Sequence, residues 1–324
     1  MSYICKNYDY GSYTKIINYY IEDLYKDSVS FYKKNYGDVH PTGTKELDER
    51  KIIDFIGYIE DYLFYIYKVY NESFLDVFTA LSQKLKYVSV LAPCNRGLFG
   101  AFFENSSLLE VSPVLSGSRN LSSDERTRLY VGHELGHISN SYWVSDAQVR
   151  MKADSNSNVM EGISLLDEAI TQSIAEDFAY CFACKDRPLP TLRKNLPRNG
   201  HYIFNGEPYK SNYDFYGELQ EPTIMFARTL RGIGKINDDY KVMHELCKRS
   251  FSHDFFKDIA KEYVHDGRVD DLIELLENMG IIKAASYALF GVGDVKNIDD
   301  SKKAKDNVVR LSRSLKDTRD PIML

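Results

Sequence analysis

His133 and His137 are four positions apart, and Glu134 directly follows the first of them. On a helix, residues at i and i+4 lie on one face, one turn apart. That separation lets two imidazole nitrogens converge on one tetrahedral zinc ion. Glu134 lies about 100° further round the helix, where its carboxylate can reach a water at the open coordination position. We therefore predict that His133 and His137 bind Zn²⁺ and that Glu134 acts as a general base.

The third ligand has to come from elsewhere in the chain, because a catalytic zinc ion usually takes three protein ligands and keeps one position for water. No histidine closely follows His137, so the third ligand is predicted to be a carboxylate. Glu168 is the preferred candidate, because it lies off the apolar stripe of its helix on a face of small or polar side chains. Two alternatives stay open: Glu161, near the start of the same predicted helix, and Glu176, two turns after Glu168.

The two histidines need a helix to hold them. Ser122–Glu125 has the spacing of a capping box, which predicts a helix from about residue 123 to 140. Gly132 and Gly136 are poor helix formers, so their presence in this helix indicates a close approach by another element. Apolar residues recur at helical spacing on the side roughly opposite the histidines: Val131, Leu135 and Ile138. A second helix, predicted from about 158 to 185, carries Glu168.

A small sheet is predicted before the metal-binding helix. Three short apolar runs end in turn residues, which is typical of strands in a small, mostly antiparallel sheet. The runs cover residues 87–91, 97–103 and 108–115. Pro113 cannot donate to a ladder, so the last strand is expected at the edge of the sheet.

The predicted fold class is α+β and predominantly helical, with three regions along the chain. Residues 1–85 form a helical N-terminal subdomain with helices over 14–37 and 47–82. Residues 86–290 form the catalytic region, whose later part is helical from about 214 to 285. Breaks in that part are expected near Gly232–Gly234 and near Ser250–His253. Residues 291–324 form a charged C-terminal tail, either a surface helix or a frayed end.

Composition narrows the class of protein. The net charge is −6 and the pI about 5.7, so no nucleic-acid partner is expected, since such proteins usually carry a basic excess. No apolar run reaches the roughly 18 residues that a membrane span needs. The N-terminus lacks the apolar core of a signal peptide, and the five cysteines are scattered. We therefore expect a cytoplasmic protein, with signal-independent secretion as the other possibility.

The motifs resemble those of the gluzincin group of zincin metallopeptidases. His133–His137 matches the histidine motif of that group, and Asp167–Glu176 is similar to its glutamate-bearing second helix. The similarity covers roughly residues 123 to 185. It implies a zincin-like catalytic core, a glutamate third ligand at Glu168, and an edge strand at 108–115 that lines the substrate cleft.

The resemblance also implies an oxyanion-stabilising donor after the glutamate ligand, often a tyrosine or histidine. Tyr213 and Tyr216 are the preferred candidates in the segment before the next predicted helix. A packing role is the alternative for either residue, since the chain contains 25 tyrosines.

The leading functional hypothesis is a zinc-dependent metallopeptidase that hydrolyses protein or peptide substrates. One alternative is a regulatory intracellular metalloprotease that cleaves a single repressor-type partner, although the chain shows no clear DNA-binding helix-turn-helix. Another is a non-catalytic zinc-binding scaffold, which would have no use for a base at Glu134. The sequence indicates neither the oligomeric state nor the cleavage preference.

Overall fold

The computed structural model is predominantly helical, with one three-stranded sheet and one two-stranded sheet among its described residues. The described residues are 5–6, 8–92, 100–113, 123–151, 157–183, 202–204, 207–209, 214–289 and 297–318. The helices are α1 (Thr14–Tyr36), α2 (Lys45–Val69), α3 (Phe74–Lys84), α4 (Ser123–Met151), α5 (Ser157–Ala183), α6 (Asp214–Ala227), α7 (Asp239–Ser250), α8 (Phe255–His265), α9 (Val269–Leu289) and α10 (Asn297–Thr318). The strands are β1 (Tyr87–Val90), β2 (Gly100–Phe103), β3 (Leu108–Val111), β4 (Tyr202–Phe204) and β5 (Glu207–Tyr209).

The chain divides into two compact units. Unit 1 takes its described residues from Met1–Ser139, Ile174–Leu196 and Tyr202–Tyr209. Unit 2 takes its described residues from Asn140–Ser173, Pro197–His201 and Lys210–Leu324. The division falls inside two continuous helices, α4 and α5, so each of these helices contributes residues to both units.

The N-terminal helices of unit 1 differ from the prediction at one point. The expected single helix over residues 47–82 is wrong, because α2 ends at Val69 and α3 begins at Phe74. Between them, Tyr70 leaves the helical conformation at φ −127° and ψ 45°, and Asn71–Ser73 forms a short 3₁₀ turn. Asparagine and serine bond readily to nearby backbone groups, which favours such an interruption.

The sheet of unit 1 is mixed. Its strand order is β1-β3-β2, with β1 parallel to β3 and β2 antiparallel to it. The prediction of a mostly antiparallel sheet with residues 108–115 at its edge is therefore wrong: β3 is the central strand, and one of the two pairings is parallel. The strand ends at Val111, before Pro113, so the missing proline N–H places no limit on where β3 lies.

Aromatic side chains of α2 anchor the second half of α5 within unit 1. Tyr62 and Tyr65 are both fully buried. The Tyr65 hydroxyl donates to Asp177 Oδ2 at 2.6 Å, and the Tyr62 ring packs edge-on against Phe178 with centroids 5.4 Å apart. Because a buried carboxylate needs such a donor, this contact fixes the position of α5 on α2.

The N-terminal segment lies on α2 through two buried carboxylates. The Lys6 backbone N–H donates to both oxygens of Glu60, at 2.9 and 2.8 Å. The Lys6 Nζ and the Tyr8 hydroxyl both donate to Asp61 Oδ1, at 2.7 and 2.8 Å, and Arg128 of α4 approaches Asp61 Oδ2 at 3.5 Å. Burial raises the pKa of the Glu60 carboxyl, and the Lys6 contacts oppose that rise.

In unit 2, helices α5 and α9 cross at a pair of glycines. A Cβ on Gly162 would overlap the backbone oxygen of Leu276, and a Cβ on Gly280 would overlap that of Asn158. The two contacts are reciprocal. Leu276 lies four residues before Gly280 on α9, and Asn158 lies four residues before Gly162 on α5. Such an approach brings the helix backbones into direct contact, as small residues allow.

The C-terminal part of unit 2 is a set of helices joined by short turns. The predicted breaks near Gly232 and near residues 250–253 are confirmed. A further break between α8 and α9 was not predicted, and Gly267 adopts φ +65° there, a conformation that favours glycine. The tail is helical over Asn297–Thr318, and it buries one face against its unit: Ala304, Val308, Leu311 and Leu315. Within the described residues, no helix is long and apolar enough to cross a membrane.

Candidate metal centre

The two predicted histidine ligands face each other on α4. Their Nε2 atoms lie 3.1 Å apart, and their rings are nearly perpendicular at 89°. Two ligand atoms bound to one tetrahedral zinc ion, each at about 2.0–2.1 Å from it, are separated by about 3.3 Å. The spacing of His133 and His137 therefore matches the edge of a tetrahedral metal site. The His133 side chain is buried, and that of His137 is half-buried.

Glu168 on α5 joins the histidine pair. One ligand atom from each of His133, His137 and Glu168 lies within 4.8 Å of the other two. Two imidazoles and one carboxylate form the donor set that zinc takes in hydrolytic sites with three protein ligands. The residues present therefore fit a divalent metal ion of this class, with one coordination position left for water.

The two alternative glutamates do not belong to this group. Glu161 is half exposed, and its carboxylate pairs with Lys283 Nζ at 3.2 Å. Glu176 lies two turns after Glu168 on α5 and is buried in unit 1. Among the described residues, the group with metal-ligand geometry contains Glu168 and neither of these two.

Glu134 is held by the outer strand β2. The Phe102 amide N–H donates to Glu134 Oε2 at 3.1 Å. A Cβ on Gly100 would lie 3.2 Å from Glu134 Cγ, so the absence of a side chain at Gly100 leaves room for the glutamate. Glu134 is not a member of the ligand group, which leaves its carboxylate available for proton transfer.

The contribution of β2 was not predicted from the sequence. The strand expected beside the site was residues 108–115, whereas the strand that contacts Glu134 is Gly100–Phe103. A contact made by a backbone amide, such as that of Phe102, cannot be recognised in a sequence, because it does not depend on the type of side chain. The available signal was Gly100 itself, because a glycine inside a strand often marks the close approach of another group.

The close approach that was predicted at the metal-binding helix is present at Gly132. A Cβ at this position would lie 2.7 Å from Phe178 Cδ1 and 3.4 Å from Ala175 Cα, both on α5. Real Cβ atoms essentially never approach so closely, so only glycine allows α4 and α5 to pack at this separation. This tight packing holds α4, which carries the two histidines, against α5.

The two tyrosines predicted as oxyanion donors stay predictions. Tyr213 lies outside the described residues. Tyr216 lies in α6, but its side chain is outside the described part of the structure.

Comparisons of the chain with protein-family models, with curated proteins and with solved structures find no significant match.

Proposed function

We propose that this protein is a zinc-dependent peptidase in which His133, His137 and Glu168 hold the metal ion and Glu134 is the general base. The observation that carries the proposal is the group of two histidines and one glutamate, which has three ligands among the described residues and does not include Glu134, the residue after His133. A purely structural zinc site normally closes with four protein ligands. A three-ligand set next to a separate carboxylate is the arrangement that hydrolysis needs.

The proposed chemistry assigns one task to each part of the site. The metal ion, when bound, lowers the pKa of a water and polarises the scissile carbonyl. Glu134 accepts a proton from the attacking water and then passes it to the leaving amine. Its Oε2 accepts the Phe102 N–H, and we assign the proton transfer to Oε1. The Phe102 amide keeps the carboxylate in one rotamer through both transfers.

A peptide substrate is favoured by the position of β2. In the three-stranded sheet, β2 is an outer strand, paired with β3 on one side. The Phe102 amide points away from β3 and donates to Glu134, which places the side of β2 that has no strand partner among the described residues next to the proposed base. Backbone groups on the free side of an outer strand are those with which an extended peptide pairs.

Replacing Glu134 with glutamine tests the proposal directly. We expect Glu134→Gln to retain zinc at the wild-type ratio and to cleave a peptide library about 10²–10⁴-fold more slowly, because the amide cannot accept the proton. Zinc is measured by elemental analysis of protein purified without chelators, and cleavage by mass spectrometry of the library. Glu125→Gln, in the first turn of the same helix, is the matched control and should cleave as the wild type does.

Each component of this experiment can fail separately. A wild-type protein that holds no zinc would contradict the proposed metal centre. If the wild type and Glu134→Gln both bind zinc and cleave the library at equal rates, Glu134 is not the general base. If both proteins bind zinc but the wild type does not cleave the library, the result contradicts a peptidase of broad specificity and favours the scaffold alternative.

Gly100→Ala provides a second test, one that replaces neither a ligand nor the base. The added Cβ would meet Glu134 Cγ at 3.2 Å, so the glutamate has to shift by a few tenths of an ångström. We expect kcat/KM for a peptide substrate to fall by about tenfold, since small displacements of a catalytic group are costly. Zinc content should be unchanged. Wild-type activity in this variant would show that the contact with β2 does not orient Glu134.

A further inference from the structure

A buried amide lies one helical turn beyond the second histidine. Asn140 of α4 is fully buried, and its Nδ2 donates to Asp167 Oδ1 at 3.0 Å and to Thr171 Oγ1 at 3.1 Å on α5. The Thr171 hydroxyl in turn contacts Asp167 Oδ1 at 3.3 Å. Asp167 immediately precedes Glu168. The three side chains thus link the turn of α4 after His137 to the turn of α5 that carries the proposed carboxylate ligand.

The chemistry of the three groups fixes the direction of each hydrogen bond. An ionised aspartate only accepts, so the Thr171 hydroxyl donates to Asp167, and the amide NH₂ of Asn140 must face both of them. This orientation leaves Asn140 Oδ1 buried without a hydrogen-bond partner among the described residues. Leaving a buried acceptor unsatisfied costs stability, and a well-packed apolar side chain at this position would avoid that cost. The amide is therefore poorly explained by stability alone.

We propose that Asn140 is a positioning residue of the metal centre, which holds Asp167 and Thr171 so that Glu168 lies at ligand distance from the histidines. The inference rests on the proposed function, because it needs a metal ion at His133, His137 and Glu168. Among the described residues, the hydrogen bonds of Asn140 go to Asp167 and Thr171 and not to the three proposed ligands. Its effect is transmitted through the α5 turn of Asp167 and Glu168, in the way that groups behind metal ligands orient them.

Exchanging the amide of Asn140 and the carboxylate of Asp167 tests this role. In Asn140→Asp, two carboxylates face each other in a buried place, and we expect zinc affinity to fall by about 10–100-fold. In the double variant Asn140→Asp with Asp167→Asn, the carboxylate and the amide change places, and Thr171 still donates to one and accepts from the other. We expect this variant to recover zinc affinity to within about threefold of wild type. Affinity is measured on the full chain by competition with a chromophoric chelator.

Two further measurements separate positioning from general stability. The visible absorption spectrum of the Co²⁺-loaded protein reports ligand geometry, and it should change in Asn140→Asp and return in the double variant. Thr171→Val removes the hydroxyl without adding charge, and we expect zinc affinity to fall by about three- to tenfold. Thr223→Val is its matched control, since the buried Thr223 hydroxyl bonds, within the described part of the chain, to the Leu219 carbonyl of its own helix.

The outcomes distinguish this inference from the proposed function. A wild-type chain that does not bind zinc contradicts both. A chain that binds zinc, with Asn140→Asp equal to wild type or with no recovery in the double variant, overturns the inference and leaves the proposed function standing. If Asn140→Asp fails to fold, Thr171→Val decides: affinity equal to that of Thr223→Val overturns the inference, and weaker affinity supports it.

Discussion

Replacing Glu168 with glutamine is expected to weaken zinc binding by more than about 100-fold. Changes to residues that only orient a ligand typically cost 10–100-fold in affinity, and the loss of an anionic ligand should exceed that range. The neutral amide oxygen is a poorer donor to zinc than the carboxylate that it replaces. Chelator competition on the full chain gives the affinity, and circular dichroism before metal loading shows whether the variant is folded.

Glu176→Gln is the matched control for this measurement. Glu176 lies on the same helix and is buried, but it does not belong to the group with ligand geometry. We expect its replacement to lower zinc affinity by less than about tenfold. If Glu176→Gln weakens binding more than Glu168→Gln does, Glu168 is not the third ligand and the metal centre has to be reassigned.

Gly162→Ala is expected to lower the free energy of unfolding by about 3 kcal/mol or more, at the upper end of what overpacking costs. The new Cβ would overlap the backbone oxygen of Leu276, and a backbone atom cannot turn aside as a side chain can. The helices α5 and α9 would therefore have to separate, which disrupts the packing of unit 2. Chemical denaturation followed by circular dichroism measures the loss.

Gly57→Ala is the comparison for this change. Gly57 also lies inside a helix, α2, but its added Cβ would meet the end of a side chain, Lys6 Cε at 3.3 Å and Lys6 Nζ at 3.5 Å, and no backbone atom outside its own helix is near it among the described residues. We expect a change of less than about 1 kcal/mol in either direction, because alanine is the better helix former but the Lys6 side chain, which bonds Asp61, has to move slightly. Equal stability of Gly162→Ala and the wild type would mean that the two helices do not cross as closely as the structure has them.

The central part of the candidate site follows from local rules. The spacing of His133 and His137 on one helix face needs only the helical period, so their pairing is predictable from sequence. Glu168 follows less directly, from the number of ligands that zinc takes and from the polarity of a helix face. The structure brings these three side chains together. Their role in binding a metal ion stays a prediction.

The contacts that depend on distant pairing were not predictable in the same way. The apolar run of residues 108–115 indicates a strand but carries no information on which neighbours it takes, so the parallel pairing of β1 with β3 was not predictable. The contact from β2 to Glu134 is made by the backbone amide of Phe102, which every residue except proline could supply. Such contacts are set by the fold as a whole.

The N-terminal segment acts as a tethered counter-ion for the core of unit 1. Glu60 and Asp61 are adjacent and buried, and Lys6 supplies two backbone hydrogen bonds to the first and an ammonium to the second. Proteolytic removal of residues 5–10 would leave both carboxylates without these partners, with Arg128 near Asp61 alone. Uncompensated buried charges cost several kcal/mol each. We therefore expect a chain shortened past Lys6 to be several kcal/mol less stable, although this residue belongs to no helix or strand.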